Sequence, residues 1–295
     1  MDSAVIKDIV AGIKSGQIVP YLGPGALAGS VNKETGAPIP ADSDSLILAM
    51  NNGQPMAPRL MYEFPRAAMN LELKRGRPFI SKFLTKTYGE TAWSRAPVHD
   101  WLAGIKPQYV VDINRDTQLQ DSYRDTPHTL IVGVSRTAGK DYRFNIYYYD
   151  GTQYTAVAQE DVDTALPVLF KPMGTPLPEP CYIASDADYV DYITELMGGF
   201  AIPSFLKTSR KGKQYLFMGL RMTRDTERMV LSDISYDADA VRGWALIPEA
   251  NDKEKRFCKK MNIVIVEADC QALLDADGFE MSASAVGEDV AMAGC

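Results

Sequence analysis

The sequence predicts an α/β fold, a mainly parallel sheet with helices on both faces, carrying an inserted helical lobe and a β-hairpin. Three observations predict it. Short apolar runs alternate with amphipathic helical segments through the second half of the chain, the pattern of a parallel sheet built by crossover connections. Between the first two apolar runs lies a stretch with helical periodicity and almost no strand signal. An Asp150-Gly151 dipeptide sits among alternating aromatic residues, a strong short-range hairpin signal.

Residues 2–14 place Val5, Ile6, Ile9, Val10 and Ile13 on one helical face, and Lys14-Ser15-Gly16 closes that helix. A buried strand, Ile18–Leu22, follows and runs into Gly23-Pro24-Gly25-Ala26. Residues 28–56, rich in Gly, Pro, Ser, Asp and Asn, read as a long loop with a short helix near Ser45–Met50. Residues 57–105 form the helical lobe, with apolar positions from Leu60 to Ile105 at helical spacing. The second strand, Gln108–Ile113, leads into a helix at Thr117–Tyr123, and a third apolar run covers Thr129–Val134. The hairpin spans 142–157. Short strands follow at Val168–Lys171 and Cys181–Ala184, then helix Ala187–Met197, strand Tyr215–Arg221 and helix Thr226–Ile234. The chain continues with strand Gly243–Ile247, helix Asp252–Met261, strand Asn262–Glu267 and helix Cys270–Ala276. The reading is of one domain over residues 1–295, six sheet strands, and a C-terminal tail at 279–295 pinned against a neighbouring subunit.

Composition narrows the class of protein. Hydrophobic residues at 46% and charged residues at 23% are ordinary globular usage. A net charge of −7 excludes a general nucleic-acid binder. The one basic cluster, Lys207-Thr208-Ser209-Arg210-Lys211-Gly212-Lys213, reads as a solvated helix end and loop. No apolar run reaches membrane-span length and the N-terminus lacks an export signal, so the expectation is a cytoplasmic protein with no membrane partner. Four cysteines without a Cys-x-x-Cys pair and only two histidines leave no expected metal site.

Five segments, in order, carry a family resemblance. They are Gly23-Pro24-Gly25-Ala26 with the later Gly36-Ala37-Pro38; Asp112-Ile113-Asn114-Arg115-Asp116; Lys171-Pro172-Met173-Gly174; Ile183-Ala184-Ser185-Asp186-Ala187-Asp188-Tyr189; and Tyr215-Leu216-Phe217-Met218-Gly219-Leu220 with Asp225 and Arg228 downstream. This series resembles the SIR2-like, sirtuin-related family, specifically its zinc-free bacterial branch, because the four-cysteine zinc module of the deacylases has no counterpart here. The resemblance implies a Rossmann-like sheet and a nucleotide ligand, NAD or an ADP-ribose derivative. It assigns ligand contacts to Gly23, Gly25, Ala26, Pro38, Asn114, Asp116 and Gly219, with Asn114 as the catalytic position that orients water or nicotinamide.

The departures from the family pattern concern chemistry. Pro24 stands between the two glycines and has no amide to donate, and Leu27 replaces a serine. Met173 stands where the family carries its catalytic histidine, and a thioether has no proton to exchange near neutral pH. Asn114 also suits an ordinary turn, and Asp116 suits loop support. His128, after Pro127, reads as a surface or turn residue, and His99 as a cap or a satisfied buried imidazole. Three functions follow: a catalytically impaired nucleotide binder acting as a sensor or assembly subunit in a homo-oligomer; an active NAD glycohydrolase of the bacterial defence type; or a structural oligomer whose nucleotide pocket is blocked.

Overall fold

The computed structural model describes residues 2–279, so the tail expected to meet a neighbouring subunit lies, from residue 280 onward, outside the described residues. Helix α1 (Asp2–Lys14) leads into β1 (Ile18–Leu22), all five of whose residues are buried. The first crossover carries α2 (Ser43–Met50), α3 (Phe64–Arg75), α4 (Arg77–Thr85) and α5 (Pro97–Ile105) before β2 (Tyr109–Asp112). Each start is locally encoded: the Asp42 carboxylate accepts from the Ser45 amide to cap α2, and prolines occupy the first turns of α3, α4 and α5. Gly76, at φ +81°, breaks the chain between α3 and α4.

Next come α6 (Gln118–Ser122), β3 (His128–Gly133), β4 (Phe144–Tyr149), β5 (Tyr154–Ala156) and β6 (Val168–Lys171). Two short strands, β7 (Gly174–Thr175) and β8 (Cys181–Tyr182), pair with each other outside the main sheet. The chain then alternates through α7 (Asp186–Met197), α8 (Ser204–Ser209), β9 (Gln214–Met218), α9 (Asp225–Ile234), β10 (Gly243–Leu246), α10 (Asp252–Met261), β11 (Ile263–Val266) and α11 (Cys270–Ala276).

The main sheet has nine strands in the order β11-β10-β9-β1-β2-β6-β3-β4-β5. This exceeds the expected six: the parallel part alone, from β11 to β3, has seven strands, and the hairpin strands β4 and β5 add two more, joining antiparallel beside β3 instead of standing apart. From β11 to β3 the pairings are parallel. The Cys181–Ala184 segment contributes no strand to it. Asp150 closes the hairpin, its Oδ1 accepting from the Thr152 and Gln153 amides at 2.7 and 2.9 Å.

Side-chain alternation sends Val19, Tyr21, Val111, Phe170 and Phe217 to one face of the sheet, under α7 to α10. Ile18, Leu22, Val110, Leu169 and Leu216 go to the other, under α1, α5, α6 and α11. A third apolar cluster joins α2, α3 and α4 to Leu27, Tyr182 and Ala184. Within the 57–105 stretch, therefore, α3 and α4 build a lobe, whereas α5, through Val98, Trp101 and Leu102, packs on the sheet.

Two sequence readings are corrected. His128 is fully buried on β3, not at the surface, its Nε2 2.8 Å from the Tyr154 hydroxyl and its ring packed against Tyr149. His99 is fully buried with neither ring nitrogen hydrogen-bonded to any described residue. Burial drives both imidazoles down to about 4, so both are neutral at pH 7. The basic cluster is only partly a solvated face. Arg210 is buried and donates to the Asp233 and Ile234 carbonyls at the end of α9, and Lys213 donates to the Gly16 carbonyl just after α1, at 2.6 Å. Cations at helix C-termini meet the partial negative charge of the exposed carbonyls.

Candidate functional site

From β1 the chain crosses toward β2, whereas from β9 it crosses toward β10 on the opposite side. The sheet therefore has its topological switch between β1 and β9, where open parallel sheets leave a crevice beyond the strand C-termini. A cleft of about 870 Å³ lies there, within the range of nucleotide and other small-molecule sites. Its floor is Pro24, Gly25, Gly219 and Leu220, one wall is Pro38, Ile39 and Ala41 from the long loop, and the other is Pro248, Asp269 and Cys270. Arg221 and Arg224 bring positive charge to its edge.

Gly25 and Gly219 are glycines because the two loops touch. A Cβ on Gly25 would stand 2.7 Å from the Gly219 Cα, and one on Gly219 would stand 2.4 Å from the Ala26 amide nitrogen; Gly219 also has φ +68°. The contact consumes amides. Gly23 donates to Met218, Gly25 to Gly219 and Ala26 to Gly23, at 2.9, 2.8 and 3.0 Å, as Pro24–Leu27 wind into a 3-10 turn. These amides are thus spent inside the protein, and the positive groups facing the cleft are the two arginines, Arg221 and Arg224, which lie outside the family's motif strings.

Beneath the cleft, a chamber of about 50 Å³ opens among the ends of β1, β2 and β6, the start of α3 and the start of α9. Asn114, Arg115 and Met173 line it together with Glu63, Arg224 and Glu227. Asn114 is held firmly: its Nδ2 donates to the Gly23 carbonyl and to Asp112 Oδ1, both at 2.9 Å. Two acceptors on that nitrogen fix the amide orientation and leave Oδ1 as the free end. Arg115 donates through Nε and Nη2 to the Ile183 carbonyl, and its guanidinium lies 5.3 Å from the Phe64 ring centre. Met173 is 2% exposed.

Asp112 and Lys171, both fully buried, pair at 2.6 Å and tie β2 to β6. Burial pushes the Asp112 carboxyl above the ordinary carboxylate range, against the pull of the Lys171 ammonium. Asp116 lines neither space. Its Oδ1 accepts from the Gln118 amide at 2.8 Å to start α6, while Oδ2 is buried without a partner among the described residues. Gly23 and Ala26 likewise sit behind the cleft wall, whereas Gly25, Pro38 and Gly219 line the cleft and Asn114 lines the chamber.

Glu63 and Glu227 carried no signal in the sequence, being two glutamates 164 positions apart in no motif. Glu63 is 8% exposed and receives one long contact, 3.4 Å from the Thr226 hydroxyl. Glu227 forms no hydrogen bond or ion pair with any described residue and borders both cleft and chamber. Burial, reinforced by the charge of Glu63, pushes the Glu227 carboxyl up to about 7 despite Arg224 and Arg228 nearby. Burial and Asp186 raise Glu63 in the same direction.

The model of the SIR2-like domain matches residues 110–266, more than half of the chain. The chain belongs to the SIR2-like family. No curated protein matches it. In this SIR2-like chain the matched segment contributes Asn114, Met173, Gly219, Arg224 and Glu227 to the two spaces, while Gly25, Pro38 and Glu63 come from the part before it. Among the described residues no group of three or more His, Cys, Asp or Glu is set to hold a metal, and no helix is long and apolar enough to cross a membrane.

Proposed function

We propose that this SIR2-like protein binds an adenine dinucleotide, NAD or an ADP-ribose derivative, in the cleft between β1 and β9, and that it is impaired in cleaving it. The observation that carries the reading is the pairing of a nucleotide-sized cleft at the switch point with a methionine, Met173, at the inner end where proton transfer is needed. The adenosine and pyrophosphate portions suit the cleft: Pro38, Ile39, Pro248 and Leu274 offer apolar walls, and Arg221 and Arg224 offer charge for phosphate. Gly25, Pro38 and Gly219 then contact the ligand directly, and Gly23, Ala26 and Asp116 act by holding the loops. Asn114 presents Oδ1 at the inner end.

Loss of a positioned proton-transfer group forfeits ~10²–10⁴-fold in rate, which makes the protein a sensor or an assembly subunit rather than an efficient hydrolase. A homo-oligomeric assembly is supported by the exposed Met197 and Met229, which flank a groove with Phe257; light scattering at a mass of 32.5 kDa at high concentration would exclude it. The deciding experiment is incubation with NAD while nicotinamide release is followed by chromatography, beside calorimetric titration with NAD and ADP-ribose. Binding without brisk release is the expected result. Fast release abolished by Asn114→Ala would favour an active NAD glycohydrolase, and no heat with either ligand would leave a blocked structural subunit.

A further inference from the structure

The polar groups of the inner chamber are sorted by kind. Its donors are largely committed: Asn114 Nδ2 to Gly23 and Asp112, Arg115 Nε and Nη2 to Ile183. Apart from Arg224, which also borders the cleft and lies over the Tyr62 ring, what faces the void without a hydrogen-bond partner among the described residues is a set of acceptors. Asn114 Oδ1 sits on a side chain only 5% exposed, Glu63 keeps one oxygen free of any contact, and Glu227 keeps both. Acceptors converging on a partly buried space need a guest rich in donors. Sugar hydroxyls meet that need, and a carboxylate bridging ribose hydroxyls is the general way dinucleotide folds hold that sugar.

Size separates the candidates for the guest. A cavity of roughly 150 Å³ accommodates a benzene ring, and the chamber offers about 50 Å³. A pyridinium ring is too large for it, whereas hydroxyl groups reaching in from a sugar at the mouth are not. Glu227, bordering both spaces, stands at that mouth.

We propose that the inner chamber reads the free hydroxyls of an unsubstituted terminal ribose, through Glu227, Glu63 and Asn114 Oδ1, so that the site selects an ADP-ribose-type ligand over both NAD and ADP. The inference rests on the reading that an adenine nucleotide occupies the outer cleft. Met173, at the chamber wall, then acts as a filler that keeps the space too small for a ring.

Calorimetric titration of the full chain with ADP, ADP-ribose and NAD tests it. Hydrogen bonds from ligand hydroxyls to charged acceptors predict that ADP-ribose binds roughly tenfold or more tightly than either of the others. In Glu227→Met, which keeps the volume and removes both acceptors, the ADP-ribose preference over ADP should fall by about tenfold, with a cooperative thermal melt certifying the fold. Met173→Ala, which enlarges the chamber, should narrow the gap between NAD and ADP-ribose. Equal affinity for ADP and ADP-ribose, tighter binding of NAD, or an unchanged preference in a folded Glu227→Met overturns the inference and leaves nucleotide binding in the cleft intact. Failure of all three ligands to bind overturns the cleft reading itself, and this inference with it.

Discussion

Two groups of charged and polar side chains, one buried and one only partly so, lie within the same corner of this protein and are built in opposite ways. Asp112, Lys171 and Asn114 satisfy one another: the ammonium meets one carboxylate oxygen at 2.6 Å, the asparagine amide meets the other at 2.9 Å, and Asn114 passes the connection on to the Gly23 carbonyl. Glu63, Glu227 and Arg224 line a void and leave most of their hydrogen-bonding capacity unused. A closed network joins β1, β2 and β6 into a frame. An open one, costly to keep in a folded protein, marks the place where something else completes the bonding.

The largest effect expected from this contrast is on the closed side. Lys171→Met strands a fully buried carboxylate and should destabilise the protein by ~3–5 kcal/mol, whereas the Asp112→Leu, Lys171→Met double variant should recover much of that loss. Urea denaturation measures both, and a single variant within about 1 kcal/mol of wild type would break the comparison.

The two histidines pose a related case. Each imidazole is held down to about 4 from the ordinary 6.5 by burial, so the unfolded chain binds protons that the folded chain refuses between those values. Stability is therefore lost as pH falls from about 6.5 toward 4, by up to ~3 kcal/mol for each. His99→Phe should flatten that slope in thermal melts across the range, because neither ring nitrogen has a partner to lose among the described residues; an unchanged slope would show that other groups carry it.

Gly219→Ala probes the floor between the two regions. Its Cβ would meet the Ala26 nitrogen at 2.4 Å on a backbone at φ +68°, and a loss of ~1–3 kcal/mol, with weakened nucleotide binding by calorimetry, is expected. The smallest effect belongs to the open side. The Glu227 carboxyl, raised to about 7 from 4.5, is held more tightly by protons in the folded state, so it erodes stability as pH rises from about 4.5 to 7. Glu227→Met should then be more stable than wild type at pH 8 by ~1 kcal/mol, where a closed-network residue would show a loss.

The sequence by itself determined the alternation of elements, since apolar periodicity, capping residues and glycine breaks are local quantities. Helices Asp2–Lys14, Asp252–Met261 and Cys270–Ala276 and strand Val168–Lys171 follow from it with the bounds expected. The family, too, was legible, because its motifs are short strings at strand ends. Strand count was not: whether an Asp-Gly hairpin stands alone or extends the sheet depends on pairing between His128–Gly133 and Phe144–Tyr149, which no local pattern encodes. Only the tertiary structure decided the use of the polar groups. The amides of the glycine turn, at positions the family resemblance gave to ligand contact, are spent on β9, its following loop and the turn itself, and Asn114 gives its amide to Gly23 while keeping its oxygen for the chamber. His128 left the surface for the same kind of reason, its environment being set by strands folded over it. Glu63 and Glu227 acquire a role only when α3 and α9 meet over β2, because burial and partnership are properties of distant segments brought together, and a glutamate in isolation carries no sign of either.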